Sequence, residues 1–426
     1  MAARQFIEAR YLIETPLDPE KVAGIMAGEQ SSGTFVKVAN ETEELKERAA
    51  AVVLSVDEIE PLAEPSLYSA YLERRHAHAP YRRAHVRVAY PVENVGRNLP
   101  TLASIVAGNL YDLGEVTGLK LLSIDLPAAY RQSYEMPRLG IGGTRASTGA
   151  EGRPLFGTIL KPNVGMSAQE TAGLVASLCE AGVDFIKDDE ICANPVHAPL
   201  AERVPAVMRE VRAYRDRTCR NVMVAFNVTD ETDAMRRHAE LVEREGGSCV
   251  MASLNWCGLS ATETLRRSTP LAVHGHRNGY GAFGRHPALG FGFDAYQALY
   301  RLAGIDHMHV HGIGGKFSDP AEEVEHAARR CLAPLSADSG IDDRVMPVFS
   351  SGQWAATLHR AMEAADSEDF MFLAGGGILA HPLGPEAGVE SLRQAYEAIL
   401  QDKTLEEHAA NHPALAAALA FYGARG

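Results

Sequence analysis

The chain reads as an α/β protein: a (β/α)8 TIM barrel preceded by a small α+β domain. Three observations predict this. From about residue 141 onward, apolar strand-like segments alternate eight times with amphipathic helical ones. That pattern means parallel strands with crossover helices, and eight such repeats over ~250 residues fill a closed barrel. Residues 1–140 lack the regular alternation, which suggests a separate sheet of antiparallel strands. Between the two, Pro137–Pro154 is rich in Gly, Ser and Pro and is the best linker candidate.

Within residues 1–140, FIEARYLIE, TFVKVAN, AAVVLSVDEIE and AHVRVAYPV carry the β-branched, alternating character of strands. DPEKVAGIMAG, with Asp18 as N-cap, and LPTLASIVAGNL read as helices. The eight barrel strands are predicted at LFGTILKP, DFIKDDE, NVMVAFNVT, SCVMASLN, LAVHGHR, DHMHVHG, RVMPVFSSG and DFMFLAGGG. Helices are predicted at SAQETAGLVASLCEA, LAERVPAVMREVRAYRD, TDAMRRHAELVERE, FDAYQALYRLAG, PAEEVEHAARRCLAP and GVESLRQAYEAIL. The Ala-rich stretch from Leu405 onward reads as a helical cover on the barrel.

Composition bounds the function. The 426 residues are 46% hydrophobic and 23% charged, as in an ordinary globular protein. A formal net charge of −14 argues against nucleic acid as a general partner. No apolar run reaches membrane-spanning length, and MAARQFIEARYLIETP lacks a signal-peptide core. The six cysteines form no CxxC pair and read as reduced, mostly buried thiols of a cytoplasmic protein.

Barrel enzymes place their chemistry at the C-terminal strand ends. Lys161 closes the first predicted strand, and Lys187-Asp188-Asp189-Glu190 closes the second. Alternate side chains on a strand share a face, so Lys187 and Asp189 can point into one site, with Glu190 joining from the loop. Two carboxylates on a rigid strand end suit a hard cation such as Mg²⁺. An ammonium would repel that cation. A lysine made neutral by burial can instead add CO₂ and become a carbamate, a third anionic oxygen ligand. For the four residues alone, an ordinary Lys–Asp ion pair is the simpler reading. The other strand ends add His274-Gly275-His276-Arg277, His307 to Lys316, Ser350-Ser351-Gly352 and Gly375-Gly376-Gly377. Singly, these could be packed histidines or turns. Together they supply cations, proton-transfer groups and open backbone N–H donors, which suits a phosphorylated substrate beside a metal.

The run GTILKPN…G followed by DFIKDDE resembles the RuBisCO large-subunit superfamily, and the resemblance extends along nearly the whole chain. It implies a ferredoxin-like N-terminal domain before the barrel, Mg²⁺ held by carbamylated Lys187 with Asp189 and Glu190, and catalytic roles for Lys161, His276 and the mobile-loop Lys316. It further implies that Arg277, His309, Ser350, Gly352, Gly375 and Gly376 bind substrate, with His381-Pro382 following the glycines. Glu29, Thr34 and Asn109 are then the residues that complete the site of the neighbouring subunit in a head-to-tail homodimer, or a multiple of such dimers.

The departures bear on the reaction. Asn163 stands where carboxylating enzymes have a second lysine, and Phe35 replaces a tryptophan whose indole N–H is a donor. The loop RNGYGAFGRHP differs, Ser351 stands where glycine is usual, and Phe317 where leucine is usual. The chain therefore resembles a RuBisCO-like protein, with no small subunit expected, that forms an enediolate on a phosphorylated keto-sugar or β-keto acid. Retention of Asn109, Lys161 and Lys316 favours the members that cleave 3-oxo-isoapionate 4-phosphate as transcarboxylase/hydrolases in sugar-acid catabolism. The alternatives are an isomerase or enolase of a methylthio-pentose phosphate in methionine salvage, a ribulose-bisphosphate carboxylase, and a non-catalytic scaffold.

Overall fold

In the computed structural model, which describes residues 4–33, 38, 40–336 and 340–424, the chain divides into two compact units. One comprises Met1–Tyr134, Gly279–Ala303 and Leu335–Ile341; the other comprises Glu135–Asn278, Gly304–Pro334 and Asp342–Gly426.

The first unit is built on β1 (Phe6–Thr15), β2 (Val52–Leu62), β3 (Tyr81–Pro91) and β4 (Gly118–Asp125). The second contributes β5 (Leu155–Ile159), β6 (Phe185–Lys187), β7 (Met223–Asn227), β8 (Cys249–Ser253) and β9 (Ala272–His276). After β10 (Leu289–Phe291), which returns to the first unit, come β11 (His307–His309), β12 (Met346–Ser350) and β13 (Met371–Leu373).

The sheet of the first unit runs β10-β4-β1-β3-β2, antiparallel except that β10 pairs parallel with β4. Alternating burial along β1 and β3 puts Ile7, Ala9, Tyr11, Val86 and Val88 into its core. Asp18 caps the helix Pro19–Glu29 by accepting the Glu20 N–H. β4 and β10 are strands that sequence reading did not find. The helix Phe293–Leu302, expected to follow the fifth barrel strand, does so by way of β10 and groups with the first unit. The expected strand TFVKVAN lies almost entirely outside the described residues, as do Thr34 and Phe35.

The second unit is the closed eight-stranded parallel barrel, ordered β11-β12-β13-β5-β6-β7-β8-β9. Its interior packs Leu155, Phe185, Met223, Met251, Val348 and Leu373, all fully buried. The supposed linker corrects the sequence reading. Gly140–Thr148 is a helix, and Ile141 and Ala150 join the barrel core. A buried carboxylate anchors it: Asp306 accepts the N–H groups of Leu139 and Gly140 through one oxygen, at 2.7 and 2.8 Å. The other oxygen accepts from Val273 N–H and pairs with buried Arg266 at 2.9 Å. Tertiary contacts hold a helix that its Gly-rich composition does not favour.

At the far end of the chain, Leu405–Ala409 and Pro413–Gly423 are helical. The Tyr422 hydroxyl donates to the Gly376 carbonyl at 2.7 Å, and its ring meets that of Trp354. Among the described residues no helix is long and apolar enough to cross a membrane.

Candidate active site

At the end of β6, strand parity divides the acidic run. Lys187 and Asp189 face one way, and both are buried. Asp188 faces the other, where its carboxylate meets the buried Arg203 guanidinium at 3.1 Å and the Asn227 N–H at 2.9 Å. Asn227 then donates its side-chain N–H to the carbonyls of Asp189 and Glu190, at 3.1 and 3.2 Å. Asp188, Arg203 and Asn227 thus fix the backbone that carries the Asp189 and Glu190 carboxylates.

Lys161, from the end of β5, reaches over this turn. Its ammonium lies 2.6 Å from Asp189 Oδ2 and donates to Asn163 Oδ1 at 2.9 Å. Lys187 Nζ lies 3.6 Å from Glu190 Oε2 and donates to the Asp188 carbonyl at 2.9 Å. Burial lowers the Lys187 pKa, outweighing the neighbouring carboxylates that would raise it. His276 Nε2 completes the cluster, 3.5 Å from Glu190 Oε2. Its Nδ1 faces Asn278, 3.2 Å from the backbone N–H and 3.3 Å from the side-chain Oδ1, while burial lowers its pKa and Nε2 faces the carboxylate.

This donor set fits a hard divalent cation. Asp189 and Glu190 offer oxygens, burial lowers the pKa of the Lys187 amine beside them, and Lys161 sits 2.6 Å from Asp189 where a cation would be held.

Three further histidines form a line through the barrel. Thr144 Oγ1 donates to the Gly140 carbonyl at 2.5 Å, so it accepts from His307 Nε2 at 2.8 Å. His307 Nδ1 lies 3.2 Å from His274 Nδ1, and His274 Nε2 lies 2.8 Å from His309 Nε2. His309 Nδ1 lies 3.0 Å from Ser350 Oγ. All three rings are buried and burial pushes their pKa values down, that of His307 to about 3. A neutral imidazole has one N–H and one lone pair. The Thr144 anchor therefore sets every tautomer, and Ser350 donates inward, leaving its lone pairs for the rim.

This changes the expected phosphate end. His309 has both ring nitrogens engaged inside the barrel, so it acts on the rim through Ser350 rather than presenting a free N–H. Arg277 is buried and paired with Asp319 at 2.8 Å. Burial pushes the Asp319 carboxyl up, but the His311 hydrogen bond at 2.7 Å and the Arg277 charge hold it down to about 2.

The sixth and seventh strand-end loops are seated on one another. A Cβ at Gly312 would meet Gln353, and one at Gly315 would meet the Ser351 carbonyl at 2.3 Å. Lys316 beyond them is exposed, its ammonium 5.3 Å from the Phe317 ring centroid. Ser351 and Gly352 both have positive φ, 75° and 71°. Gly375 and Gly376 open a short helix, Gly375–Leu379, at the end of β13. In the first unit, Asn109 Nδ2 donates to Glu29 Oε1 at 3.2 Å, and both residues are exposed.

Sequence reading missed Asn227, Arg203, Thr144 and Asp319. The inward histidines His274 and His307 were visible as the spacing HGH and HMH, but not as a connected line.

The N-terminal domain of the ribulose bisphosphate carboxylase large chain matches residues 7–130, and the catalytic domain matches residues 140–422. A Xanthobacter autotrophicus protein named 3-oxo-isoapionate-4-phosphate transcarboxylase/hydrolase is 45% identical over 98% of this chain and 99% of its own. A Rhizobium rhizogenes 3-oxo-isoapionate-4-phosphate decarboxylase is 39% identical over 98% of each. The crystal structure of a rubisco-like protein from Burkholderia fungorum is similar with a TM-score of 0.92 at 60% identity, covering 98% of this chain and 99% of that one. The chain belongs to the ribulose bisphosphate carboxylase large-chain family, among its RuBisCO-like members.

Proposed function

We propose that this RuBisCO-like enzyme is Mg²⁺-dependent and cleaves a carbon–carbon bond of 3-oxo-isoapionate 4-phosphate, as a transcarboxylase/hydrolase of sugar-acid catabolism. One observation carries the reading: the buried Lys187 amine, its pKa lowered by burial, shares a strand end with Asp189 and Glu190, under the Lys161 side chain. The names of the relatives at 45% and 39% identity support the substrate.

In this reading Lys187, as a carbamate, would hold Mg²⁺ with Asp189 and Glu190. The ion, when bound, would supply Lewis acidity to a substrate carbonyl. The chain's own groups do the rest. Lys161 and Lys316 receive the substrate carboxylate, and His276 moves a proton through Nε2. Arg277, Ser350 with His309 behind it, Gly352 and the N–H groups of Gly375 and Gly376 bind the remaining substrate oxygens, phosphate included. The working unit is a head-to-tail homodimer, or a multiple of it, in which Glu29, Thr34 and Asn109 serve the neighbouring subunit. The resemblance of these loops to the family supports that arrangement. A cytoplasmic location is supported by six cysteines outside any disulfide, of which Cys179, Cys249 and Cys331 are buried.

The test is CO₂ trapping. With Mg²⁺ present, the wild-type chain should retain about one labelled CO₂ per chain, by the one-lysine stoichiometry of the carbamate, and Lys187→Met should retain none. Absence of uptake by the wild type would remove the carbamate from the account.

A further inference from the structure

We propose a second metal site, independent of the active site, formed by Glu397, His408 and His412 and selective for a transition-metal cation of the Zn²⁺ type. Glu397 lies in the helix Pro385–Leu400, His408 in Leu405–Ala409, and His412 at the start of Pro413–Gly423. One ligating atom from each lies within 4.8 Å of the others. His408 Nε2 is 3.7 Å from Glu397 Oε2.

A second observation points to a ligand. The His408 ring is buried, 4% exposed, yet its Nε2 has no hydrogen-bond partner among the described residues. A buried polar atom without a partner is uncommon and asks for an unseen ion or water. The other histidine is set up as metal-ligating histidines are. His412 Nδ1 donates to the His408 carbonyl at 2.6 Å, which fixes the tautomer and leaves Nε2 with the lone pair. The two rings stack 3.7 Å apart and 10° from parallel, so the His412 ring must turn before both in-plane lone pairs meet on one ion.

Two imidazoles and one carboxylate suit Zn²⁺ and its neighbours far better than Mg²⁺ or Ca²⁺, which want oxygen. A tetrahedral ion with ~2.1 Å arms needs its ligand atoms ~3.4 Å apart. The cluster must therefore draw in by roughly 1.4 Å at its widest. Rotation of exposed Glu397 and half-buried His412 allows this while His408 stays in place. The ion would tie Pro385–Leu400 to the turn that launches Pro413–Gly423, the helix whose Tyr422 braces the Gly376 carbonyl.

The experiment is Zn²⁺ titration of chelator-treated full-length protein against a chromophoric competitor, in wild type, His412→Ala and Glu397→Gln. Both substitutions change accessible side chains, so folding is retained; His408 is left in place. Wild type should bind one more Zn²⁺ per chain than His412→Ala, and zinc should raise its Tm by several degrees more. Co²⁺ should give tetrahedral visible bands in the wild type that fall at least tenfold in either variant. Equal zinc stoichiometry and affinity in wild type and His412→Ala would overturn the proposal. Zinc uptake abolished by Lys187→Met but unchanged in His412→Ala would assign the ion to the active site, and would overturn it equally.

Discussion

His274 Nε2 lies 2.8 Å from His309 Nε2, so one ring must donate and the other accept. The Thr144 hydroxyl, committed to the Gly140 carbonyl, decides which. His309 carries its proton on Nε2, His274 on Nδ1 and His307 on Nε2. Nitrogen-15 spectra of the imidazoles should show this order of tautomers, assigned by single substitutions. His274→Phe keeps the bulk but leaves the His309 N–H without an acceptor. It should cost about 1–3 kcal/mol in urea unfolding. A variant as stable as wild type would break the line.

The same burial makes acid destabilising. The His307 pKa falls to about 3 in the folded chain, against an unfolded value of ~6.5. A depressed histidine contributes stability that is complete above the unfolded value and is lost as pH falls from ~6.5 toward 3. The unfolded chain takes up the proton first, at roughly 1.4 kcal/mol per pH unit per such group. Urea midpoints measured between pH 7 and 5 should fall less steeply in His307→Gln than in wild type. Identical slopes would mean that His307 does not titrate in this way.

Ser351 has φ 75°, and its buried hydroxyl lacks a hydrogen-bond partner among the described residues. Glycine relieves both, at some cost in unfolded-chain entropy. Ser351→Gly should therefore stabilise the chain by ~1 kcal/mol in urea unfolding. Destabilisation would show that the hydroxyl has a role not captured by its neighbours.

Shared sites can be tested by mixing. Asn109→Ala and Lys187→Ala chains should each be inactive, and exchanged mixtures should regain activity up to about a quarter of wild type, because only hybrid dimers carry one intact site. Mixtures that exchange fully and stay inactive would remove Glu29, Thr34 and Asn109 from the neighbour's site.

Much of this was legible because strand parity is rigid. The period of two placed Lys187 and Asp189 together, and the structure adds that Asp188 turns to Arg203. All eight barrel strands were legible from apolar runs between amphipathic helices. What depends on distant partners was not. Asp319 is 42 residues from the Arg277 it neutralises. The helix Gly140–Thr148 exists because Asp306 and the barrel interior hold it, and neither shows in a Gly- and Ser-rich stretch. β10 is three residues long, too short for alternation to mark. The direction of the histidine line rests on one threonine hydroxyl, which no spacing reveals.

Substrate turnover tests the central claim most directly. Asn163 stands where the resemblance implies a second lysine in carboxylating enzymes, so this chain has one cation fewer there. Losing a charged partner of a phosphate costs a few kcal/mol, or ~10²-fold in affinity. CO₂- and Mg²⁺-activated enzyme should therefore turn over 3-oxo-isoapionate 4-phosphate, lose that activity with chelator, and fix negligible labelled bicarbonate onto ribulose bisphosphate. Turnover of a methylthio-pentose phosphate alone, carboxylation at ordinary enzymatic rates, or activity indifferent to Mg²⁺ would each contradict it.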